Sequence, residues 1–268
     1  MLGSIVGDII GSPYEHDNIK TVEFPLFTEK SHFTDDSVMT LAVARGLMEC
    51  MANHGDVTTD EDFTEQVKAS MLKVGRKFPK AGYGRGFRAW LSSKEPHPYQ
   101  SFGNGSAMRV SPVSWAFSDL ETVEHFAELS AVITHDHPEG IKGAQSVAGA
   151  VFLARTGHSK DDIRGYVAGK YDYDLSRTLD EIRPEYTFSS SCPKSVPEAI
   201  TAFLEGESFE DTIRKAVSIG GDSDTIAAIA GSIAEPLWGI PTVIQVEAFE
   251  RLHSYLKRIV QKWEQWRD

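Results

Sequence analysis

The stretch MLGSIVGDIIGSPYE, residues 1–15, places a glycine at every fourth position, at Gly3, Gly7 and Gly11. On an α-helix, residues four apart lie on one face, so these glycines would form a strip without side chains. A strip of this kind lets the backbone of a neighbouring element approach very closely. We therefore expect an N-terminal helix, ending in a loop through Pro13, that packs at short distance against a partner.

Helical spacing also dominates the rest of the chain. Residues 140–155 and 224–237 combine helical patterns with many small residues, which again permits close packing at some cost in helix propensity. The residues after Thr34 and residues 129–134 show helical spacing as well, whereas no strand-like alternation is sustained. We predict an all-α fold, a compact multi-helix bundle that forms a single domain over residues 1–268.

The C-terminal segment is expected to be one amphipathic helix packed on the core. Its apolar residues fall on one broad stripe: Val243, Val246, Phe249, Leu256, Val260 and Trp263. Three segments that contain glycine or proline, residues 77–86, 95–104 and 189–197, are expected to be loops.

The composition is that of an ordinary globular protein with an acidic surface. Its 39 acidic and 27 basic residues give a net charge of −12, which repels nucleic-acid backbones and anionic lipids. We therefore expect nucleic acid only as a modified substrate.

The two cysteines form no CxxC pattern and favour a reducing compartment. The N-terminal segment carries Asp8 and no early basic residue, unlike a signal peptide, and no apolar run reaches the ~18 residues of a membrane helix. We expect a cytoplasmic monomer.

Two acidic clusters, each at the start of a helical pattern, are the main candidates for chemistry. The first is Thr34-Asp35-Asp36-Ser37 and the second is Gly220-Gly221-Asp222-Ser223-Asp224-Thr225. Taken separately, each fits an ordinary helix start, where a capping residue and early acids are favoured. If the clusters meet, four carboxylates share one site, and their repulsion requires bound cations or raised pKa values. Oxygen ligands of this kind suit Mg²⁺ or Mn²⁺ rather than zinc.

Three further motifs are weaker when taken one at a time. Glu15 would be an additional carboxylate over a metal site, or a surface acid at a helix end. The run Gly103-Asn104-Gly105-Ser106-Ala107-Met108-Arg109 could cradle phosphate with its backbone N–H groups or form a simple turn. Within that run, Arg109 would either contact the phosphate or support the loop from behind. His135, in Thr134-His135-Asp136-His137, lacks the companions of a zinc site and fits a helix cap or a substrate contact.

These motifs, in this order from about residue 3 to residue 239, resemble the ADP-ribosylglycohydrolase family. The resemblance implies an all-α orthogonal bundle with two Mg²⁺ or Mn²⁺ ions in a central cleft, and an enzyme that releases ADP-ribose by cutting the bond at its C1″ atom. It implies a set of metal ligands: Thr34, Asp35, Asp36, Asp222, Asp224 and Thr225. Glu15 and Asp36 would be catalytic. A second set would bind the substrate: Gly103, Asn104, Gly105, Ser106, Met108 and His135.

Two other functions remain open alongside the glycohydrolase. A di-metal phosphoesterase or pyrophosphatase could use the same carboxylates, and a relative without activity could bind ADP-ribose only. The presence of every expected acid argues against the second of these. The sequence does not determine the leaving group, which could be part of a protein, a nucleic acid or a small conjugate.

Overall fold

A computed structural model describes residues 1–54 and 59–267, and within these ranges the regular elements are helices. In chain order the helices of the first part are α1 (Leu2–Gly11), α2 (Asp35–His54), α3 (Asp60–Lys77), α4 (Arg85–Ser92), α5 (Gly105–Met108), α6 (Val113–Ala116), α7 (Leu120–Val132) and α8 (Pro138–Arg155). They are followed by α9 (Lys160–Tyr171), α10 (Leu179–Ile182), α11 (Cys192–Glu205), α12 (Phe209–Ser218), α13 (Ser223–Trp238), α14 (Thr242–Glu250) and α15 (Ser254–Arg267). The described residues contain no strand, so the all-α prediction is confirmed. None of the described helices has both the length and the apolar character needed to cross a bilayer.

The glycine strip of α1 packs directly on α13. A Cβ atom added to Gly3 would lie 2.1 Å from the carbonyl oxygen of Gly231, and one added to Gly231 would lie 2.4 Å from the carbonyl oxygen of Gly3. Farther along, a Cβ on Gly11 would lie 2.5 Å from the Ser223 carbonyl oxygen. Contacts this short exclude any side chain, so the expected close approach is confirmed.

Helix α13 is the central element of the core. It contacts α1, α8, α11 and α12, and its residues from Ser223 to Glu235 are all buried. A helix that is small or apolar on every side is stable only when it is surrounded by other helices. Helix α2 packs on α3 and α15 and also contacts α1. The N-terminal ends of α2 and α13 carry the two acidic clusters.

The prediction of one C-terminal amphipathic helix is wrong. The segment forms two helices, α14 and α15, and Val243 and Val246 on α14 are 75% and 50% exposed. The break occurs where the Nδ1 atom of His253 accepts a hydrogen bond from the N–H of Tyr255, 3.1 Å away, in the first turn of α15. The apolar stripe continues only on α15, where Leu256, Val260 and Trp263 are buried.

The loop predicted for residues 189–197 is also shorter than expected, because α11 begins at Cys192. Pro193 lies in the first turn of that helix. A proline is tolerated there because the first backbone N–H groups of a helix have no partner within the helix.

Candidate active site

The two acidic clusters meet at the adjoining N-terminal ends of α2 and α13. The Oγ1 hydroxyl of Thr225 donates a hydrogen bond to Oδ2 of Asp36 over 3.1 Å, although the two residues are 189 positions apart in the chain. Both helix ends face a cavity of about 440 Å³. The convergence on which the metal-site prediction depends is therefore present.

Nearly every predicted site residue lines this cavity. The set comprises Glu15, Thr34, Asp35, Asp36, Gly103, Asn104, Gly105, Met108, His135, Asp222, Asp224 and Thr225. Ser106 is absent from the lining: it is fully buried, and its Oγ atom donates to the carbonyl oxygen of Gly140 over 2.7 Å. The Ser106 side chain thus faces α8 and not the cavity, so the prediction that it contacts the substrate is not supported by its position.

Glu15 lies over the second cluster. Its carboxylate, with those of Asp222 and Asp224, forms a group whose ligand atoms all lie within 4.8 Å of one another. A short 3₁₀ turn, Ser12–Tyr14, continues α1 toward Glu15 and aims its side chain at the cavity. Glu15 therefore adds a third carboxylate beside the two of the second cluster.

Asn18 fixes the Glu15 turn to the Gly220-Gly221 turn. Its Nδ2 atom donates to the carbonyl oxygens of Glu15 and Gly221 over 2.9 and 3.1 Å, and its Oδ1 atom accepts from the N–H of Gly221 over 2.7 Å. Gly220 and Gly221 have φ angles of +74° and +71°, which residues with a side chain rarely adopt. The paired glycines therefore produce the tight backbone that brings Asp222 under Glu15.

Asp8 is a buried carboxylate whose role the sequence did not reveal. It accepts hydrogen bonds from the N–H and the hydroxyl of Thr34, over 2.9 and 2.7 Å, and from the N–H of Ser37 over 3.0 Å. The Ser37 hydroxyl also donates to it. Asp8 thus satisfies donors at the start of α2 and fixes the first acidic cluster to α1. Its position inside an apolar helix was the only local signal.

The acids of the cavity strongly perturb one another. Burial first, and then the charges of neighbouring carboxylates, raise the pKa values of Asp36 and Asp224 well above the ordinary range. Burial and the charge of Asp8 raise the pKa of Asp35 to about 8. Burial and the charge of Asp222 also raise the pKa of Glu15. The Oδ1 atom of Asp36 is buried and has no hydrogen-bond partner among the described residues.

The predicted phosphate loop is linked to the acids through Asn104. The Nδ2 atom of Asn104 donates to Oδ2 of Asp222 over 2.7 Å and to Oγ of Ser195 over 3.0 Å. Its backbone N–H donates to the carbonyl oxygen of Ser190 over 2.9 Å. The Asn104 side chain is therefore engaged with Asp222, and it holds the loop at a fixed distance from the acidic clusters.

Arg109 supports the loop from behind. Its side chain is buried, and its Nη2 atom donates to the carbonyl oxygen of Ser130 over 3.0 Å and to Oγ1 of Thr134 over 2.9 Å. Of the two roles left open for Arg109 by the sequence, the supporting one fits this geometry.

One wall of the cavity was not recognised in the sequence. It contains Gly82, Gly84, Arg85 and Gly86, within a segment interpreted only as a loop. Gly82 lies against the first cluster, since a Cβ added there would be 3.0 Å from Oδ1 of Asp35. Another set of lining residues was also missed: Met39, Phe87, Tyr99, Ser101, Phe188 and Ser190. These contacts arise from tertiary packing. The position of Arg85 between two glycines was the only local sequence signal for this wall.

Comparison with known proteins identifies relatives along the full length of the chain. The sequence model of the ADP-ribosylglycohydrolase family matches residues 1–268, farther than the motifs noted above. ADP-ribosylhydrolase ARH3 of Homo sapiens is 29% identical, with 98% of this chain and 93% of that protein covered. The ADP-ribosyl-[dinitrogen reductase] glycohydrolase of Rhodospirillum rubrum is 27% identical, with coverages of 78% and 70%. A solved structure described as an ADP-ribosylglycohydrolase-related protein complex has the same fold, with a TM-score of 0.69, 22% identity and coverages of 98% and 95%.

Proposed function

Since the chain belongs to the ADP-ribosylglycohydrolase family, we propose that it hydrolyses the glycosidic bond at C1″ of ADP-ribose and releases ADP-ribose from a modified protein, nucleic acid or small conjugate. The observation that carries the proposal is the junction of the two acidic clusters through Thr225 and Asp36. Glu15 lies beside the second cluster, with its carboxylate grouped with those of Asp222 and Asp224.

The residues of the cavity fit a pair of hard divalent cations. Buried carboxylates that raise one another's pKa values are stabilised by cations, and the unpartnered Oδ1 atom of Asp36 is a free ligand atom. The side chains of the two acidic clusters offer only oxygen donors, which Mg²⁺ and Mn²⁺ prefer. We propose that two such ions are held by Thr34, Asp35, Asp36, Asp222, Asp224 and Thr225. When bound, they would act as Lewis acids toward oxygens of the ribose and of the attacking water.

The chain's own groups supply the remaining requirements of the reaction. Cleavage of a glycoside passes through an oxocarbenium-like transition state and needs a proton transfer at the bond that breaks. Glu15 is suited to that transfer because its raised pKa lies closer to neutrality. Asp36, at the junction of the two clusters, would stabilise the developing positive charge of the sugar.

The loop of Gly103 to Met108 would position the diphosphate. Gly103, Asn104 and Gly105 line the cavity with little side-chain bulk in the way. The N–H groups of Gly103 and Asn104 already donate to Oγ of Ser101 and to the carbonyl oxygen of Ser190. The N–H of Gly105, at the start of α5, is therefore the one of these three that is available to a phosphate oxygen. The hydrogen bond from Asn104 to Asp222 fixes the distance between this loop and the acids. With the diphosphate fixed, the reacting ribose would be held next to the carboxyl group of Glu15.

The whole chain, residues 1–268, is proposed to work as one unit. Helix α15, at the C-terminal end, packs on α2, which carries Asp35 and Asp36 in its first turn. Loss of α15 would therefore expose one side of α2, the helix that begins with the first cluster.

The test is product analysis with peptides ADP-ribosylated on serine or arginine, each incubated with Mg²⁺, with Mn²⁺ and with EDTA. We expect intact ADP-ribose as the product, and only when a divalent ion is present. Release of AMP would identify a pyrophosphatase instead, and binding of ADP-ribose without turnover of any substrate would identify a non-catalytic relative.

Two variants connect this test to the cluster. Asp36→Ala and Asp224→Ala should abolish release of ADP-ribose and remove the heat of Mg²⁺ binding in calorimetry. Asp161→Asn changes an exposed acid in the first turn of α9 and should behave like the unmodified protein. Full turnover by either alanine variant would rule out this assignment of the ligands.

A further inference from the structure

Arg109 is a buried cation without an acidic partner. Its side chain is 1% exposed, and among the described residues no carboxylate lies within ion-pairing distance of it. Burial lowers its pKa to about 10, so it still carries its charge near neutral pH. Burying an unpaired charge is costly, which indicates that Arg109 has a specific task at the cavity wall.

The hydrogen bonds of Arg109 determine where the proton of Thr134 lies. A guanidinium group can only donate, so Oγ1 of Thr134 accepts from Nη2 of Arg109 over 2.9 Å. The hydroxyl proton of Thr134 then points to its other partner, Nδ1 of His135, which lies 2.6 Å away. If Nδ1 carried a proton instead, the Thr134 hydroxyl would lose its acceptor in a fully buried position.

The other ring nitrogen of His135 faces the cavity. His135 is 4% exposed, and its Nε2 atom has no hydrogen-bond partner among the described residues. This atom lies 3.1 and 3.5 Å from the positions that Cβ atoms on Gly105 and Gly103 would occupy. It is therefore directed at the same wall as the loop that would bind the diphosphate. Burial and the charge of Arg109 lower the pKa of His135 well below its ordinary value, which keeps the ring neutral.

We propose that Arg109 and Thr134 hold His135 as the tautomer protonated on Nε2, so that His135 donates a hydrogen bond to an acceptor oxygen of the bound sugar diphosphate. Arg109 and Thr134 are positioning residues in this scheme, and His135 is the binding residue. The ligand part of the inference rests on the proposed function, whereas the tautomer is a property of the protein alone. A neutral His135 ring with its proton on Nε2 presents only a hydrogen-bond donor to the cavity. The ligand group that binds next to it must therefore be a hydrogen-bond acceptor.

The first test is the ¹⁵N NMR spectrum of the ring of His135 in the ligand-free protein. We expect the shifts of a protonated Nε2 and an unprotonated Nδ1. Thr134→Val, which keeps the shape but removes the hydroxyl, should lose this preference, and Thr134→Ser should retain it. The opposite tautomer in the unmodified protein would overturn the proposal, even if the valine variant failed to fold.

The second test is calorimetric titration with ADP-ribose. Thr134→Val should bind about tenfold more weakly, as expected for the loss of one hydrogen bond to a charged group, while Thr134→Ser should restore binding. Thr156→Val is the matched control, since the Thr156 hydroxyl also contacts a histidine Nδ1, that of His158 at 3.0 Å, in an exposed position outside the cavity. It should change neither the binding nor the His135 spectrum.

The outcomes separate the two proposals. If the unmodified protein binds ADP-ribose and Thr134→Val binds it equally well, the inference about His135 is wrong and the proposed function is unaffected. If the unmodified protein neither binds nor releases ADP-ribose, the proposed function and the donor role of His135 both fail.

Discussion

Gly7 lies directly against the carbonyl oxygen of Ala227, so that a Cβ atom on Gly7 would fall 2.1 Å from that oxygen. The two residues belong to α1 and α13, the helices that carry Asp8 and the second acidic cluster. Their separation therefore sets the distance between these parts of the candidate active site.

Gly7→Ala should destabilise the protein strongly, because two helix backbones must move apart to admit one methyl group. Overpacking costs about 1–3 kcal/mol in a well-packed core, and a contact with backbone should lie at the upper end. Gly165→Ala is the control, since nothing lies within 4 Å of a Cβ at that helical position, and it should be neutral or slightly stabilising. Urea denaturation measures both, and equal stability of the two variants would contradict the packing described.

Glu15→Gln should lower kcat far more than it weakens binding of ADP-ribose. General acid–base catalysis typically contributes about 10²- to 10⁴-fold, whereas the amide keeps the size of the side chain. Single-turnover kinetics and calorimetry with ADP-ribose separate the two effects. Glu23→Gln, an exposed site with the same change of charge, provides the control. Parallel losses in rate and affinity would make Glu15 a binding residue.

Without metal, the stability of the fold should fall as the pH rises. The pKa of Asp35 is raised from 3.8 to about 8, so the folded state holds this proton more tightly than the unfolded state does. The corresponding stability is complete below pH 3.8 and is lost as the pH approaches about 8. Asp36 and Asp224 shift in the same direction.

Melting curves in EDTA and in saturating Mg²⁺ test this pH dependence. The difference in melting temperature between the two series reports on the acidic clusters, because surface carboxylates contribute equally to both series. We expect Mg²⁺ to stabilise most at the high end of the range, and Asp35→Asn to flatten the EDTA series. A constant difference between the two series at every pH would count against the cluster as the metal site.

Arg85→Ala should weaken the binding of ADP-ribose and reduce its dependence on salt. The cavity contains five carboxylates, so two divalent ions would leave no excess positive charge for a diphosphate. Arg85 lines the cavity, and its charged group has no partner among the described residues. An exposed pair contributes up to about 1 kcal/mol, or roughly fivefold in affinity. Arg88→Ala, on the same helix but outside the cavity lining, should bind as the unmodified protein does.

The residues that sequence could identify are those whose chemistry is local. Asp35 and Asp36 follow a threonine at a helix start, and Asp222 and Asp224 follow two glycines, so each cluster is recognisable from its own neighbours. The strip of Gly3, Gly7 and Gly11 predicted close packing for the same reason. The roles of these acids as ligands remain predictions.

The residues that sequence could not place depend on partners far along the chain. Ser106 turns away from the cavity because the Gly140 carbonyl oxygen lies behind it. Gly82 and Arg85 reach the cavity because their segment packs on Asp35. The break between α14 and α15 is a local exception: the ring of His253 accepts from the N–H of Tyr255 at the start of α15, and helical periodicity does not register such a contact.

The anchoring of α2 by Asp8 divides the pocket into a part that is difficult to alter and a part that is free to vary. Asp8, on α1, accepts hydrogen bonds from Thr34 and Ser37 at the start of α2, and α1 has no space to shift on α13. A mutation that moved α1 would therefore also move the first acidic cluster relative to the second. The segments around Gly84 and Phe188 are not constrained in this way: a Cβ on Gly84 would meet nothing within 4 Å, and Phe188 is 54% exposed. Engineering for a new leaving group should therefore begin with a library at these two segments, with the acids left untouched.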